Sequence, residues 1–244
     1  MMHVLGVIPA RMGAVRFPGK PLVDLCGRPV IAWVLESARA ATALDEVVVA
    51  TPDRAILDAV EAAGGSAVLT SPDHRTGTDR VAEVAAGRDD VDVVVNVQGD
   101  LPLIRPDMLD ALVAPFAADP RPVMATLGAP LVAGGEGDPH TVKVVCDLNG
   151  DALYFSRSPI PHRRPGQPVL ARHHLGLYAF TRAFLLSYAT WAPTPLELSE
   201  GLEQLRVLEY GHRIRVAPVD ESVPEVNTPD DLAAAARWIE ERSP

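Results

Sequence analysis

Cationic side chains and glycines are concentrated in residues 9–21, a segment that follows the first apolar run and that we call the basic loop. They are Arg11, Arg16 and Lys20, together with Gly13 and Gly19. Guanidinium and ammonium groups pair with phosphate oxygens, and glycine lets a backbone approach a ligand closely. The basic loop therefore has the chemistry to neutralise a triphosphate.

The basic loop lacks the two best-known phosphate-binding signatures. A P-loop has four residues between its glycines and a Ser or Thr after its lysine. Here five residues separate Gly13 from Gly19, and Pro21 follows Lys20. The dinucleotide fingerprint GxGxxG is also absent, which argues against a nicotinamide dehydrogenase. On composition alone, a solvated basic surface is the alternative to a phosphate site.

Short apolar runs alternate with helical patterns in the first half of the chain. The runs are Val4 to Ile8, Val47 to Ala50, Ala67 to Leu69 and Val93 to Val97. Helices are predicted from Pro29 to Arg39 and from Asp53 to Ala63, with Gly64-Gly65 ending the second. This alternation is typical of βαβ units on a parallel sheet. The basic loop then lies at the strand ends where α/β sheets bind ligands.

The pattern changes after Val123. Strand-like runs follow with little helix between them, at Val142 to Val145, Ala152 to Phe155 and Leu175 to Phe180. We therefore expect a single domain with a core over about residues 1–125 and 205–244, and an inserted, partly antiparallel lobe over about 126–204. Residues 133–137 and 163–168 are expected to be exposed loops.

A last helix is predicted from Pro229 to Arg242, and the type and position of Thr228 make it the expected N-cap. A further helix is expected after Gly77, with Thr78 as its cap.

Composition excludes several classes of function. Hydrophobic residues make up 48% and charged residues 22% of the 244 residues, as in soluble globular proteins. The net charge of −10 disfavours nucleic acid as a partner. Cys26 and Cys146 form neither a disulfide framework nor a zinc pattern, which suits the reducing cytoplasm. Membrane association is not expected, since no stretch approaches the ~20 apolar residues of a membrane span.

Several motifs along nearly the whole chain resemble those of one enzyme family. The first is Val7-Ile8-Pro9-Ala10-Arg11, continued by Arg16-Phe17-Pro18-Gly19-Lys20-Pro21-Leu22. The others are His74-Arg75-Thr76-Gly77-Thr78-Asp79-Arg80, Asn96-Val97-Gln98-Gly99-Asp100, Tyr154-Phe155-Ser156-Arg157, His174-Leu175-Gly176 with Tyr178, and Leu202-Glu203-Gln204-Leu205-Arg206. In this order they resemble the sugar nucleotidyltransferases, and specifically the 3-deoxy-manno-octulosonate (KDO) cytidylyltransferases.

The resemblance implies both a fold and a reaction. The fold is the α/β, Rossmann-like nucleotidyltransferase fold, with a mostly parallel sheet, helices on both faces and a small, partly antiparallel lobe. The reaction transfers CMP from CTP to a small acidic acceptor and releases pyrophosphate. The family uses Mg²⁺, its members are commonly homodimers, and the inserted lobe is expected to bind the acceptor and to form the dimer interface.

The resemblance also implies roles for residues of the core. Arg11, Lys20 and Asp100 are the expected catalytic residues. The expected nucleotide contacts are Arg11, Gly13, Lys20, Arg80 and Gln98. Asp100 follows a buried-looking strand, and its carboxylate is of the type that Mg²⁺ prefers, so it is the expected metal ligand. The alternatives are that Asp100 caps the helix beginning near Pro106 and that Arg80 is a solvated arginine on a helix face.

The acceptor is expected to contact residues of the second half. They are Arg157, His174, Tyr178, Glu203 and Gln204, with Arg16 from the basic loop. A cation suits a carboxylate, while the other side chains suit the hydroxyls of a polyol. Each also has a purely structural alternative: Tyr178 could belong to the core, and Glu203 with Gln204 could form an ordinary exposed helix face.

Two residues depart from the family pattern. Leu101 stands where the family usually has Glu, and Asn227 stands where it has an Asp that is a second metal ligand. Asn227 remains a candidate ligand through its amide oxygen, without charge. A less negative site would suit a more anionic acceptor, such as the phosphonate phosphonoformate. A nucleotide-binding homologue without turnover is a third hypothesis, but the retained motifs favour a KDO-type acid.

Overall fold

The computed structural model of the protein describes residues 2–13, 17–119, 121–132 and 134–242. Apolar runs rich in valine form the strands at 4–9, 46–51 and 93–96. The strands are β1 (Val4–Pro9), β2 (Asp24–Leu25), β3 (Arg28–Pro29), β4 (Glu46–Thr51), β5 (Ser66–Leu69), β6 (Val93–Asn96), β7 (Met124–Pro130), β8 (Lys143–Cys146), β9 (Ala152–Ser156), β10 (Arg172–Thr181) and β11 (Arg215–Pro218). The helices are α1 (Val30–Ala40), α2 (Arg54–Ala62), α3 (Gly77–Ala86), α4 (Pro106–Ala118), α5 (Arg182–Tyr188), α6 (Pro195–Glu200), α7 (Leu205–Glu209) and α8 (Pro229–Arg242), and a 3₁₀ turn covers Lys20–Leu22.

The chain divides into two compact units. The first consists of Met1–Asp110 and Val223–Pro244, and the second of Ala111–Ser222. The second unit extends beyond both ends of the lobe expected over 126–204.

The sheet of the first unit is parallel, as the alternating pattern predicts. Its strands lie in the order β6-β1-β4-β5, with Val7 aligned to Val48 of β4 and Gly6 to Val95 of β6. Successive side chains of a strand point to opposite faces, and β1 is buried from Val4 to Ile8. Both faces of this part of the sheet are therefore covered, which explains why its strands are continuous apolar runs.

Residues 70–76 connect β5 to helix α3, which begins with a reciprocal cap. Thr76 Oγ1 accepts from the Asp79 amide at 3.1 Å, and Asp79 Oδ2 accepts from the Thr76 amide at 3.1 Å. The predicted cap, Thr78, is wrong because the helix already begins at Gly77. Thr78 is instead buried and accepts from the Asn96 amide group at 3.3 Å, which ties α3 to the end of β6.

The other predicted helices of this unit are confirmed, with small shifts at their ends. Pro29 precedes α1 as its N-cap, and α2 is followed by Gly64 in the left-handed region. Helix α8 covers the predicted residues, and the Thr228 hydroxyl accepts from the Asp231 amide at 3.2 Å. Thr228 thus caps the start of α8, and Gly64 lets the chain turn after α2.

The second unit is partly antiparallel, also as predicted. Strand β10 pairs antiparallel with β7 and β8, β8 pairs antiparallel with β9, and β11 lies parallel to β7. Strands β7 and β11 were not predicted from the sequence. The loop at 163–168 is exposed as expected, and residues 134–137 form a turn, while Ala133 lies outside the described residues.

Among the residues that the structure describes, no helix combines the length and apolar character required to cross a membrane.

Replacing Thr76 with alanine is expected to lower the free energy of unfolding by about 1 kcal/mol, because the Asp79 amide loses its acceptor at the start of α3. Urea denaturation measures this change. Thr76→Ser keeps the hydroxyl and should remain within about 0.5 kcal/mol of the parent. A Thr76→Ala protein as stable as the parent would contradict the reciprocal cap.

Candidate active site

Three segments meet at the carboxyl end of β1. A Cβ added to Gly99 would lie 2.8 Å from the carbonyl oxygen of Pro9, and one added to Gly77 would lie 3.2 Å from Pro9 Cγ. Contacts this short leave no room for a side chain at position 99 unless the backbone moves. The Gln98-Gly99-Asp100 segment and the start of α3 therefore approach the basic loop closely because both carry glycine there.

A cleft of about 110 Å³ opens where these segments meet. Its lining residues are Pro9, Ala10, Arg11, Thr76, Gly77, Arg80 and Gln98. The predicted nucleotide contacts Arg11, Arg80 and Gln98 are thus brought together, although they are far apart in the sequence. The cleft supplies two guanidinium groups and one amide to a ligand.

Arg80 is held in place before any ligand binds. Its side chain donates to the Thr70 hydroxyl and, at 3.0 Å, to the carbonyl oxygen of Ser71, and the residue is only 3% exposed. Burial, and then the nearby Arg11, lower the pKa of Arg80 from its ordinary value, but a guanidinium remains charged in proteins. The alternative of a solvated arginine on a helix face is therefore wrong.

The basic loop is closed by a backbone contact. The Gly19 amide donates to the Met12 carbonyl at 2.9 Å, and Gly19 adopts a φ of +75°, which favours glycine. Among the residues that the structure describes, nothing lies within 4 Å of a Cβ built on Gly13, so their packing does not demand glycine there. Arg16 lies outside the described residues, and its predicted role stays a prediction.

Lys20 and Asp100 form an ion pair across this region. Lys20 Nζ donates to Asp100 Oδ2 at 3.1 Å, and both side chains are largely buried. This contact joins two of the three predicted catalytic residues. It also places the Asp100 carboxylate on Lys20 rather than at the start of α4, so the helix-cap alternative is not what the side chain does.

The two candidate metal ligands lie on neighbouring segments. The Val226 amide donates to the carbonyl oxygen of Asp100 at 2.8 Å, so Asn227 is one residue from a direct backbone contact with Asp100. Asn227 Nδ2 donates to Glu225 Oε2 at 3.1 Å. Together these contacts bring a carboxylate and an amide, both of which offer oxygen ligands, into one region.

Leu101, the other departure from the family pattern, is a core residue. It is 3% exposed, and its amide donates to the Gln98 carbonyl at 3.3 Å. Because the side chain is buried among apolar groups, leucine at this position contributes to packing. The absence of a glutamate here thus changes the core more directly than the ligand-binding surface.

Three predicted acceptor residues form one buried chain of hydrogen bonds in the second unit. Tyr178 Oη donates to Gln204 Oε1 at 3.0 Å, and Gln204 Nε2 lies 3.5 Å from His174 Nδ1. His174 Nε2 lies 3.0 Å from Thr126 Oγ1, whose hydroxyl is directed at the Leu177 carbonyl at 2.7 Å. Since the Thr126 hydroxyl donates to that carbonyl, His174 carries its proton on Nε2. We call these four side chains the Tyr178–Thr126 relay.

Burial keeps the Tyr178–Thr126 relay uncharged. It lowers the pKa of His174 from 6.5 to about 3, and the neighbouring His173 adds to the effect. The imidazole is therefore neutral at physiological pH. Gln204 is buried rather than part of an exposed helix face, and Tyr178 is buried as its core alternative supposed. Thr126 was missed because it lies on β7, which the sequence pattern did not reveal.

Arg157 and Glu203 have structural contacts in the same unit. The Arg157 guanidinium donates to the Glu200 carbonyl at 2.9 Å and to the Pro139 carbonyl at 3.0 Å. The Glu203 carbonyl accepts from the Tyr188 hydroxyl at 3.1 Å. Arg157 therefore connects the end of α6 to the loop that contains Pro139, through backbone carbonyls of both.

A second cluster of polar groups and a larger groove lie away from the basic loop. His3, Glu46 and Asp90 offer ligand atoms within 4.8 Å of one another, but Arg88 donates to both carboxylates at 2.8 Å. This cluster is an ion-pair network. A groove of about 670 Å³ is lined in part by Glu46 and Arg88, and none of the predicted site residues lines it.

Solved structures with low sequence identity share this fold. A cytidylyltransferase from Leptospira borgpetersenii is 19% identical, with a TM-score of 0.68 over 100% of this chain and 89% of its own. A synthase of 4-diphosphocytidyl-2C-methyl-D-erythritol from Anaerococcus prevotii is 13% identical, with a TM-score of 0.66 over 98% and 99% of the two chains. The fold is the α/β fold of nucleotidyltransferases, as predicted.

Relatives with higher sequence identity show which family of nucleotidyltransferases the chain belongs to. A family model described as "Cytidylyltransferase" matches residues 5–214. The 3-deoxy-manno-octulosonate cytidylyltransferase of Acaryochloris marina is 53% identical over 98% of both chains, and that of Anaeromyxobacter dehalogenans is 53% identical over 96% of this chain and 97% of its own. A CMP:2-keto-3-deoxy-manno-octonic acid synthetase solved with CTP is 40% identical, with a TM-score of 0.95 over 99% of this chain and 100% of its own. The chain belongs to the cytidylyltransferase family, among the 3-deoxy-manno-octulosonate cytidylyltransferases, and the resemblance seen in its motifs is confirmed.

The buried, neutral His174 predicts a pH-dependent stability. Its pKa is about 3 in the folded protein and 6.5 ordinarily, so the unfolded chain binds the extra proton first as pH falls. Stability is expected to decline between about pH 6.5 and 3, with this residue contributing up to roughly 1.4 kcal/mol per pH unit.

Urea denaturation between pH 7 and pH 5 measures this slope. In His174→Gln the slope should be shallower than in the parent, even though the variant is less stable overall. Exposed His162 offers the control, since His162→Gln should retain the parent's slope. Equal slopes in the parent and in His174→Gln would contradict a neutral, buried imidazole.

Proposed function

We propose that this protein transfers CMP from CTP to 3-deoxy-manno-octulosonate and releases pyrophosphate. The observation that carries the proposal is the near-complete match to a CMP:2-keto-3-deoxy-manno-octonic acid synthetase solved with CTP, at 40% identity and a TM-score of 0.95. The convergence of Arg11, Arg80 and Gln98, three of the five predicted nucleotide residues, on one cleft supports it. The relatives at 53% identity carry the KDO name and favour this acceptor over a phosphonate.

The nucleotide half of the reaction needs positioning and charge compensation. An acceptor oxygen attacks the α-phosphorus of CTP, and pyrophosphate leaves in line with it. Arg11 and Lys20, at the two ends of the basic loop, are the groups that we assign to the triphosphate and to the charge that develops on the leaving pyrophosphate. We assign Arg80 and Gln98, on the opposite side of the same cleft, to the rest of the nucleotide.

We propose that Mg²⁺ is the cofactor, held by Asp100 and Asn227. The donor set fits this ion, because it combines a carboxylate with an amide and leaves further oxygens to come from substrate phosphates. When bound, Mg²⁺ supplies Lewis-acid stabilisation of phosphate charge. The chain's own contribution is to hold Asp100 rigidly, through Lys20 on its side chain and Val226 on its backbone.

The acceptor half of the reaction needs groups that recognise a polyol acid. We assign hydroxyl recognition to His174, Tyr178 and Gln204, uncharged groups that would exchange their present hydrogen bonds with one another for bonds to the acceptor. Glu203 directly precedes Gln204 in the sequence. Arg157 uses its guanidinium on backbone carbonyls, so we assign it to positioning the loops around the acceptor, with Arg16 as the candidate partner of the carboxylate.

We also propose that the protein is a homodimer of the cytoplasm. Exposed leucines on the second unit, at Leu153, Leu170 and Leu198, are of the kind that a partner copy covers. Cys26 and Cys146 are both free thiols, which suits a reducing compartment.

Release of pyrophosphate tests the proposed reaction directly. The parent, supplied with CTP, Mg²⁺ and KDO, should release pyrophosphate, and ATP or GTP should be poor replacements for CTP. Asp100→Asn should lower kcat by at least ~10²-fold, a loss of about 3 kcal/mol of electrostatic stabilisation. Asp107→Asn, the same change at a nearby exposed residue, should remain close to the parent.

Two outcomes would contradict parts of this proposal. Pyrophosphate release with phosphonoformate but not with KDO would assign the acceptor to the phosphonates. An Asp100→Asn protein within tenfold of the parent would remove Asp100 from the catalytic site.

Restoring a carboxylate at position 227 should strengthen the metal site. Asn227→Asp is expected to lower the Mg²⁺ concentration for half-maximal rate with KDO by roughly fivefold, about 1 kcal/mol. Without Mg²⁺ the variant should melt at a lower temperature than the parent, because its new carboxylate lies against Glu225. Added Mg²⁺ should then raise its melting temperature more than that of the parent.

Gln167→Glu adds the same charge on an exposed loop and should change neither quantity. If Asn227→Asp matches the parent in both its Mg²⁺ requirement and its melting temperature, residue 227 does not face the metal.

A further inference from the structure

We propose that Asp53 is a positioning residue for CTP, which sets the conformation of the basic loop by accepting a hydrogen bond from the Met12 amide. The inference rests on the proposed function of the basic loop and adds a residue that the sequence motifs do not contain. Asp53 Oδ2 accepts from the Met12 amide at 2.8 Å, over a sequence separation of 41 residues.

Asp53 does not use its side chain as its position predicts. It is the N-cap residue of α2, where an aspartate ordinarily accepts from an amide in the first helical turn. Its side chain makes no such capping bond. The Asp53 backbone carbonyl still begins the helix, accepting from the Ile56 amide at 3.1 Å. The carboxylate is therefore directed at the basic loop instead of at its own helix.

The Met12 peptide group is the point at which the basic loop is closed. Its carbonyl oxygen accepts from the Gly19 amide at 2.9 Å, while its amide donates to Asp53. Arg11 directly precedes Met12, and Lys20 directly follows Gly19. One carboxylate thus fixes the peptide that connects the two cations assigned to the triphosphate.

Asp53 is itself held in place by the parallel sheet. Its amide donates to the hydroxyl of Thr51 at 3.1 Å, and Thr51 is fully buried at the end of β4. The Ala10 amide donates to the Ala50 carbonyl at 3.0 Å, which keeps the ends of β1 and β4 in register. Asp53 consequently links the basic loop to the end of β4, so the sheet determines where the loop lies.

A loop fixed in its binding conformation loses less conformational entropy when it takes up a ligand. Removing the anchor should therefore weaken CTP binding more than it affects KDO. Asp53→Ala is expected to raise KM for CTP about tenfold, with KM for KDO within about twofold of the parent. Asp53→Asn keeps an oxygen that can accept from Met12 and should recover most of the loss.

A second measurement tests the hydrogen bond between Met12 and Asp53 without the enzymatic reaction. Amide exchange of Met12, followed by NMR, should be about tenfold faster in Asp53→Ala, with the amides of α2 unchanged. Asp58→Ala is the matched control, because Asp58 lies exposed on the same helix and pairs with Arg54 at 3.0 Å. Asp58→Ala should match the parent in both KM values and in Met12 exchange.

The outcomes separate this inference from the proposed function. Unchanged Met12 exchange in Asp53→Ala would overturn the anchor, and faster exchange with an unchanged affinity for CTP, measured by calorimetry, would overturn its role in positioning. Asp53→Asn as impaired as Asp53→Ala would overturn the hydrogen-bond explanation. A parent that binds CTP but releases no pyrophosphate with KDO would instead contradict the proposed reaction, while exchange and calorimetry still decide the role of Asp53.

Discussion

The close approach of the Gln98-Gly99-Asp100 segment to the end of β1 is the constraint on which the candidate active site depends. A side chain at Gly99 would meet the Pro9 carbonyl oxygen at 2.8 Å. Because this contact is between backbones, it can form only where one residue lacks a Cβ. It brings Asp100 within reach of Lys20. Gln98 and Arg11 line the same cleft. The parallel register of β1 and β6 fixes these segments side by side.

The first unit concentrates cations locally in a chain whose net charge is −10. Each of the contacts that hold this region is specific: Lys20 bonds to Asp100, Arg80 to the Ser71 carbonyl, and the Met12 amide to Asp53. Such contacts orient the cationic groups before a polyanion arrives, which reduces the entropy that binding costs. Arg11 and Arg80 line the same cleft, and the pKa of Arg80 is lowered first by burial and then by the charge of Arg11.

The second unit contains one chain of polar side chains that are buried and uncharged, the Tyr178–Thr126 relay. In the Tyr178–Thr126 relay each donor meets an acceptor, so burial leaves no unmet hydrogen bond along the chain from Tyr178 to the Leu177 carbonyl. The cost of charging His174 in this environment keeps the imidazole neutral.

The sequence by itself determined the parallel strands of the first unit, helices α1, α2 and α8, and the identity of the family, because these depend on local periodicity, on end residues such as Thr228 and on motifs in order. It did not reveal β7 or β11, the cap at Thr76, or the role of Asp53. Strands β7 and β11 lack the valine-rich runs that mark β1, β4 and β6, and they are recognised only from their pairing with other strands. Asp53 likewise has the sequence appearance of a helix cap, and only the register of β1 against β4 directs its carboxylate to Met12. The cap at Thr76 was missed although its signal is local, since its partner Asp79 lies three residues away. Tertiary structure decided β7, β11 and the contact of Asp53, because each depends on a partner distant in the chain.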